Sequence, residues 1–208
     1  MNDVCNKYFQ LMKKDFSDII KTIIFYGSNI YNVHNSDLDV CIIVDSITSE
    51  TQQKIINETL KFHLENNLNI DDEVPHTNKL IYTIKEVEDT LVNHPFLKNG
   101  EIVISDIIKS REFLSSKEMK KRLLLNILTT DHLVIGDSIN EYEKRALNII
   151  LDVIITYFKI DNKSEEEILN CMYTNKYTGA SGEMYLGYKK NHPEKDKYLR
   201  KKIHDILK

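Results

Sequence analysis

The chain has 208 residues, 41% of them hydrophobic and 29% charged, with a formal net charge of −4. That length suits one large domain or two small ones, and no apolar run nears the ~20 residues that a membrane-spanning helix needs. The N-terminus, MNDVCNKYFQLMKKD, has no basic segment leading into a continuous apolar one, so a cytoplasmic protein without a secretory leader is expected.

Residues 3–20 place Val4, Tyr8, Leu11, Phe16 and Ile19 near a helical period, which predicts an amphipathic helix. TIIFYG (22–27) is rich in β-formers and ends at glycine, as a buried strand would. NVHNS then turns the chain into DLDVCIIV (37–44), a second strand whose apolar half shows little alternation, as expected when both faces are covered. Residues 48–67 predict a helix capped by Thr48 or Ser49, with Ile55, Leu60 and Leu64 as its apolar positions. LNIDDEVP (68–75) alternates like a short strand and stops at Pro75. KLIYTI (79–84) reads as a further strand or a connection, and 85–93 as a helix ending before His94-Pro95. EIVISDII (101–108) follows the Asn99-Gly100 turn signal.

Beyond about residue 114 the period lengthens. SSKEMKKRLLLNILTTDHLVIG and SINEYEKRALNIILDVIITYF predict two long helices, with Ser116 and Ser138 as caps and Gly136 between them. A shorter helix at 164–174, a Gly-, Tyr- and Asn-rich loop at 175–192 and a last helix at 194–207, with Pro193 at its first turn, complete the chain. The expectation is an α+β fold: an α/β domain with a mixed sheet over 1–114, then a helical domain over 115–208. Lys189 to Lys208 holds eight Lys/Arg against three Asp/Glu, which makes the tail basic on an acidic body. Arg111, Lys120, Lys121 and Arg122 either line a cleft between the halves or cover solvated helix faces.

Chemistry concentrates in YGSNIYNVHNSDLDV (26–40). Strands disfavour aspartate, yet Asp37 and Asp39 alternate at the start of one, which sets their carboxylates on the same side. Two close anions repel unless a cation lies between them, and hard carboxylate oxygens suit Mg²⁺. Leu38 and Val40 face the other way, into the core. Upstream, Gly27 lets the backbone approach a ligand, successive N–H groups in such a turn cradle an anion, and Ser28 adds a hydroxyl. The three cysteines (Cys5, Cys41, Cys171) and seven histidines lack zinc or redox spacing, so no His/Cys metal site is expected, and Cys41 reads as a buried thiol.

Tyr26-Gly27-Ser28, eight residues, then Asp37-Leu38-Asp39-Val40 resembles the signature of the nucleotidyltransferase superfamily, which includes DNA polymerase beta, CCA-adding enzymes and antibiotic nucleotidyltransferases. Ser36 before the first carboxylate fits the resemblance, and the eight-residue spacer is at its short end. The resemblance covers about fifteen residues as a motif. It implies an N-terminal nucleotidyltransferase domain and transfer of a nucleoside monophosphate from an NTP such as ATP to an acceptor hydroxyl on RNA, protein or a small molecule, with release of pyrophosphate. It implies two Mg²⁺ ions, with Mn²⁺ as substitute, held by Asp37, Asp39 and a third carboxylate. Asp71 is the first choice for that third group and Glu73, on the same face, its rival. Gly27 and Ser28 would bind the nucleotide phosphates. The 177–198 stretch reads either as a tyrosine-anchored surface loop closing the helical domain or as a loop that stacks a base or acceptor ring on Tyr185 or Tyr188, with Lys189 or Lys190 on phosphate. The alternative is a catalytically silent protein on the same fold, such as a toxin–antitoxin component.

Overall fold

The computed structural model describes residues 3–26, 38–70, 81–98, 101–102, 117–129, 132–158, 166, 201 and 204. These residues form a mixed α+β fold with five helices, a four-stranded sheet and a two-stranded hairpin. The chain divides into two compact units, 1–88 with 131–139, and 89–130 with 140–208. The expected domain boundary at 114/115 falls outside the described residues.

In the first unit, α1 (Asp3–Phe16) buries Cys5, Tyr8, Met12 and Phe16, the spacing of one helix face. It leads into β1 (Ile20–Tyr26), which pairs antiparallel with β2 (Val40–Val44). All five residues of β2 are buried, as the unbroken apolar run predicts. Val40, Ile42 and Val44 lie on one face with Ile23, Phe25 and Ile81, and α1 and α2 cover that face. Cys41, Ile43 and Ile24 alternate onto the other face and are equally buried.

The helix α2 (Ser49–Glu65) starts at Thr48, whose Oγ accepts the N–H of Thr51 at 3.2 Å. Its end is a Schellman closure: Asn67 takes φ +51°, Leu68 N–H donates to His63 C=O and Asn67 N–H to Leu64 C=O. The expected apolar stripe needs correction. Leu64 is 67% exposed, and the buried positions are Ile55, Ile56, Thr59, Phe62 and His63. At 100° per residue, Leu64 lies half a turn around the axis from Ile55, whereas 55, 59, 62 and 63 share one face. Thr48→Ala is expected to destabilise the fold by about 1 kcal/mol through the lost cap. Urea denaturation checks this, and an unchanged midpoint would mean that the cap carries no weight.

Strand β3 (Ile81–Thr83) runs parallel to β2, with Ile42 opposite Ile81. It passes directly into α3 (Ile84–Val92) through a capping box: Glu86 N–H donates to Thr83 Oγ, and the Glu86 carboxylate accepts Thr83 N–H at 2.8 Å. Residues 68–70 are not a strand, and the rest of the expected strand at 68–75 lies outside the described residues.

The long helix expected over 116–136 is instead α4 (Lys117–Thr129) followed by a strand, β6 (His132–Gly136). This strand pairs antiparallel with β1 and completes the order β3-β2-β1-β6. The reason is pairing rather than local preference: β1 would otherwise be an open edge with unpaired backbone groups.

The second unit contains the hairpin of β4 (Leu97–Lys98) and β5 (Glu101–Ile102), together with α4 and α5 (Asn140–Phe158), which pack on each other. Met119, Leu123, Leu124, Leu128, Leu147 and Ile150 are buried there. Two of the basic residues expected on a cleft or a solvated face have local structural roles. Lys121 Nζ bonds Asp89 and the Asn93 carbonyl, each at 2.8 Å. Arg122 is buried with its guanidinium 5.1 Å from the Phe96 ring centre. Arg111, the 164–174 and 194–207 helices and the 177–198 loop lie outside the described residues. No described helix is long and apolar enough to cross a membrane.

Candidate metal and nucleotide site

The site is built at one end of the β1–β2 pair. Tyr26, the last residue of β1, donates its N–H to the carbonyl of Asp39 at 3.1 Å. The ladder therefore continues one pair beyond Phe25 and Val40. Leu38 and Val40 are buried in the core shared with α1 and α2, and Asp39 between them is half-buried. This is the alternation expected from the Asp-Leu-Asp-Val pattern: hydrophobic residues anchor the backbone from one face and Asp39 turns to the other.

The register extends the row. His132 of β6 lies opposite Tyr26, and Tyr26 lies opposite Asp39, so these three share one sheet face on three adjacent strands. The helical period expected over 116–136 runs through His132 and hides it. The signal that could have found it was the compact apolar run HLVIG ending in glycine.

Behind the sheet a buried polar chain enters the core. Leu38 N–H donates to His63 Nε2 at 3.2 Å, and His63 Nδ1 lies 2.8 Å from the Thr59 carbonyl. A carbonyl only accepts, so Nδ1 carries the proton and Nε2 offers its lone pair to Leu38. These partners define the tautomer of the ring. Thr59 donates its hydroxyl proton to the Ile55 carbonyl at 2.8 Å, so Tyr8 Oη is the donor in its 2.8 Å bond to Thr59 Oγ. Burial pushes the Tyr8 phenol well above its ordinary range, with the Thr59 bond opposing weakly. Its ring meets Phe25 and Phe62 edge-on, with centroids 6.0 and 5.2 Å apart. Burial likewise raises the Cys5 thiol, and Cys41 is buried as expected.

Of the site residues read from the sequence, Asp39 is described. Gly27, Ser28, Asp37, Asp71 and Glu73 lie outside the described residues. Among the described residues, no group of three or more His, Cys, Asp or Glu side chains converges on a metal position. The donor chemistry of Asp39 nonetheless suits a hard cation, being an oxygen ligand on a backbone fixed at both sides. Compared with known proteins, the chain matches no family model, no curated protein and no solved structure.

Proposed function

We propose that the chain is a metal-dependent nucleotidyltransferase that moves a nucleoside monophosphate from an NTP to an acceptor hydroxyl. The observation that carries the reading is the Tyr26–Asp39 backbone bond. It brings together the two ends of the segment that holds Gly27, Ser28 and Asp37, with Asp39 half-buried on the face opposite Leu38 and Val40. The motif's two halves thus start from neighbouring strands at one end of a rigid sheet, where loops carry ligands best.

In this reading the acceptor oxygen attacks the α-phosphorus, and the bond to the β-phosphate oxygen breaks, freeing pyrophosphate. Gly27 and Ser28 bind the β- and γ-phosphates through backbone N–H groups and a hydroxyl. Asp37, Asp39 and Asp71 or Glu73 would hold two Mg²⁺ ions, which supply charge neutralisation at the phosphates and acidify the acceptor hydroxyl. The third carboxylate accepts the acceptor's proton. An RNA end or a protein side chain is the favoured acceptor class because of the basic stretch at 189–208.

The test is incubation of the chain with each α-labelled NTP, Mg²⁺ and a cell lysate supplying acceptors. Wild-type protein is expected to label an acceptor, and an Asp37→Ala, Asp39→Ala double variant is expected not to. Equal labelling by the two proteins defeats the proposal.

A further inference from the structure

We infer that His63 is a positioning residue for the Asp39 carboxylate, an inference that rests on the nucleotidyltransferase reading. The bond at 3.2 Å from Leu38 N–H to Nε2 holds the backbone just before Asp39, and Tyr26 N–H holds the Asp39 carbonyl at 3.1 Å. The Leu38-Asp39 backbone is therefore held twice, once from the sheet and once from α2. His63 is only 2% exposed, and its ring is itself locked by the Thr59 carbonyl. The Schellman closure holds its turn of α2, since Leu68 N–H caps the carbonyl of His63.

A histidine here is a costly choice for packing alone. It sits beside a hydrophobic core that includes Leu38, Val40, Ile55 and Phe62. A leucine or phenylalanine would bury more apolar surface but would leave Leu38 N–H without an acceptor in a dry core. The imidazole supplies that acceptor at the backbone amide one residue before Asp39. Outer residues that orient metal-binding ones typically change metal affinity about 10- to 100-fold when removed.

Three proteins test this: wild type, His63→Phe, which keeps ring volume and removes the acceptor, and His63→Gln, whose Oε1 can accept from Leu38. Mn²⁺ binding is read by electron paramagnetic resonance, and the Mg²⁺ dependence of nucleotide transfer is read alongside it. His63→Phe is expected to weaken Mn²⁺ binding and raise the half-saturating Mg²⁺ by about 10- to 100-fold. His63→Gln is expected to recover most of the loss. Equal Mn²⁺ affinity in wild type and His63→Phe overturns the inference, as does a Gln variant no better than Phe. Nitrogen-15 NMR of the wild-type imidazole is an independent arm that needs no variant to fold. A protonated Nε2 would remove the acceptor and overturn the inference too. If instead the Asp37→Ala, Asp39→Ala protein transfers label like wild type while the imidazole shows the stated tautomer, the failure belongs to the proposed function and not to the His63–Leu38 bond.

Discussion

Asp39→Asn is expected to lower Mg²⁺-dependent nucleotide transfer by about a thousandfold while leaving the fold intact. The substitution is nearly isosteric and keeps the backbone carbonyl that accepts Tyr26 N–H at 3.1 Å. It removes only the charge from a half-buried side chain set between the buried Leu38 and Val40. A carboxylate that binds a cation at a transferring phosphate contributes several kcal/mol at the transition state, and about 1.4 kcal/mol is tenfold in rate. The matched control is Asp45→Asn. Asp45 stands at the far end of β2, exposed, with its carboxylate 2.8 Å from Lys21. It loses the same charge, so a general effect of net charge on substrate encounter would appear in both variants. Exposed pairs of that kind contribute little, so transfer and melting temperature should stay near wild type. Steady-state kinetics of the two variants, with thermal melts on the same samples, decide the matter. Comparable activity in Asp39→Asn and wild type would remove Asp39 from the chemistry.

The contrast between these two aspartates shows what was legible before the fold was known. Asp39 could be placed from its neighbours, because Leu38 and Val40 demand the core and a strand alternates its sides. The same logic gave β2, whose five buried residues are an unbroken apolar run. β6 was not legible. Its five residues follow directly on a helical period, and what makes them a strand is β1, over a hundred positions earlier. His63 was hidden for a related reason. Nothing local distinguishes it from a surface histidine, and its role exists only because residue 38 returns to α2. Leu64 illustrates the converse. Hydrophobicity alone recruited it to the core, yet helix geometry turns it outward, and two polar residues with internal partners, Thr59 and His63, take the buried face.

Gly136→Ala is expected to produce the opposite dissociation, a large loss of stability with the chemistry of the surviving folded protein unchanged. Gly136 has φ +113°, a backbone conformation that residues with a side chain rarely adopt. A Cβ built there would stand 2.1 Å from the Lys21 carbonyl oxygen and 3.0 Å from Thr22 Cα, both backbone atoms of β1. No rotamer change relieves such a clash, so β6 must lift from β1. Two bonds lie in the way: Asp137 N–H to the Lys21 carbonyl at 3.0 Å, and Thr22 Oγ to the Asp137 carbonyl at 3.1 Å. Strain at the positive φ costs about 1–3 kcal/mol and each weakened bond about 1 kcal/mol, so a loss of roughly 3–5 kcal/mol is expected. That is a large share of the stability of an ordinary domain, and calorimetry should find the melting temperature lower by roughly 10 °C. The register explains why activity per folded molecule should survive. Gly136 lies opposite Thr22, whereas the candidate site gathers at the other end of the same strand, where Tyr26 faces His132 on one side and bonds Asp39 on the other. A variant as stable as wild type would show that β6 does not pack on β1 through a bare glycine. A stable variant that had lost transfer would show that the two ends of β1 are coupled rather than separable.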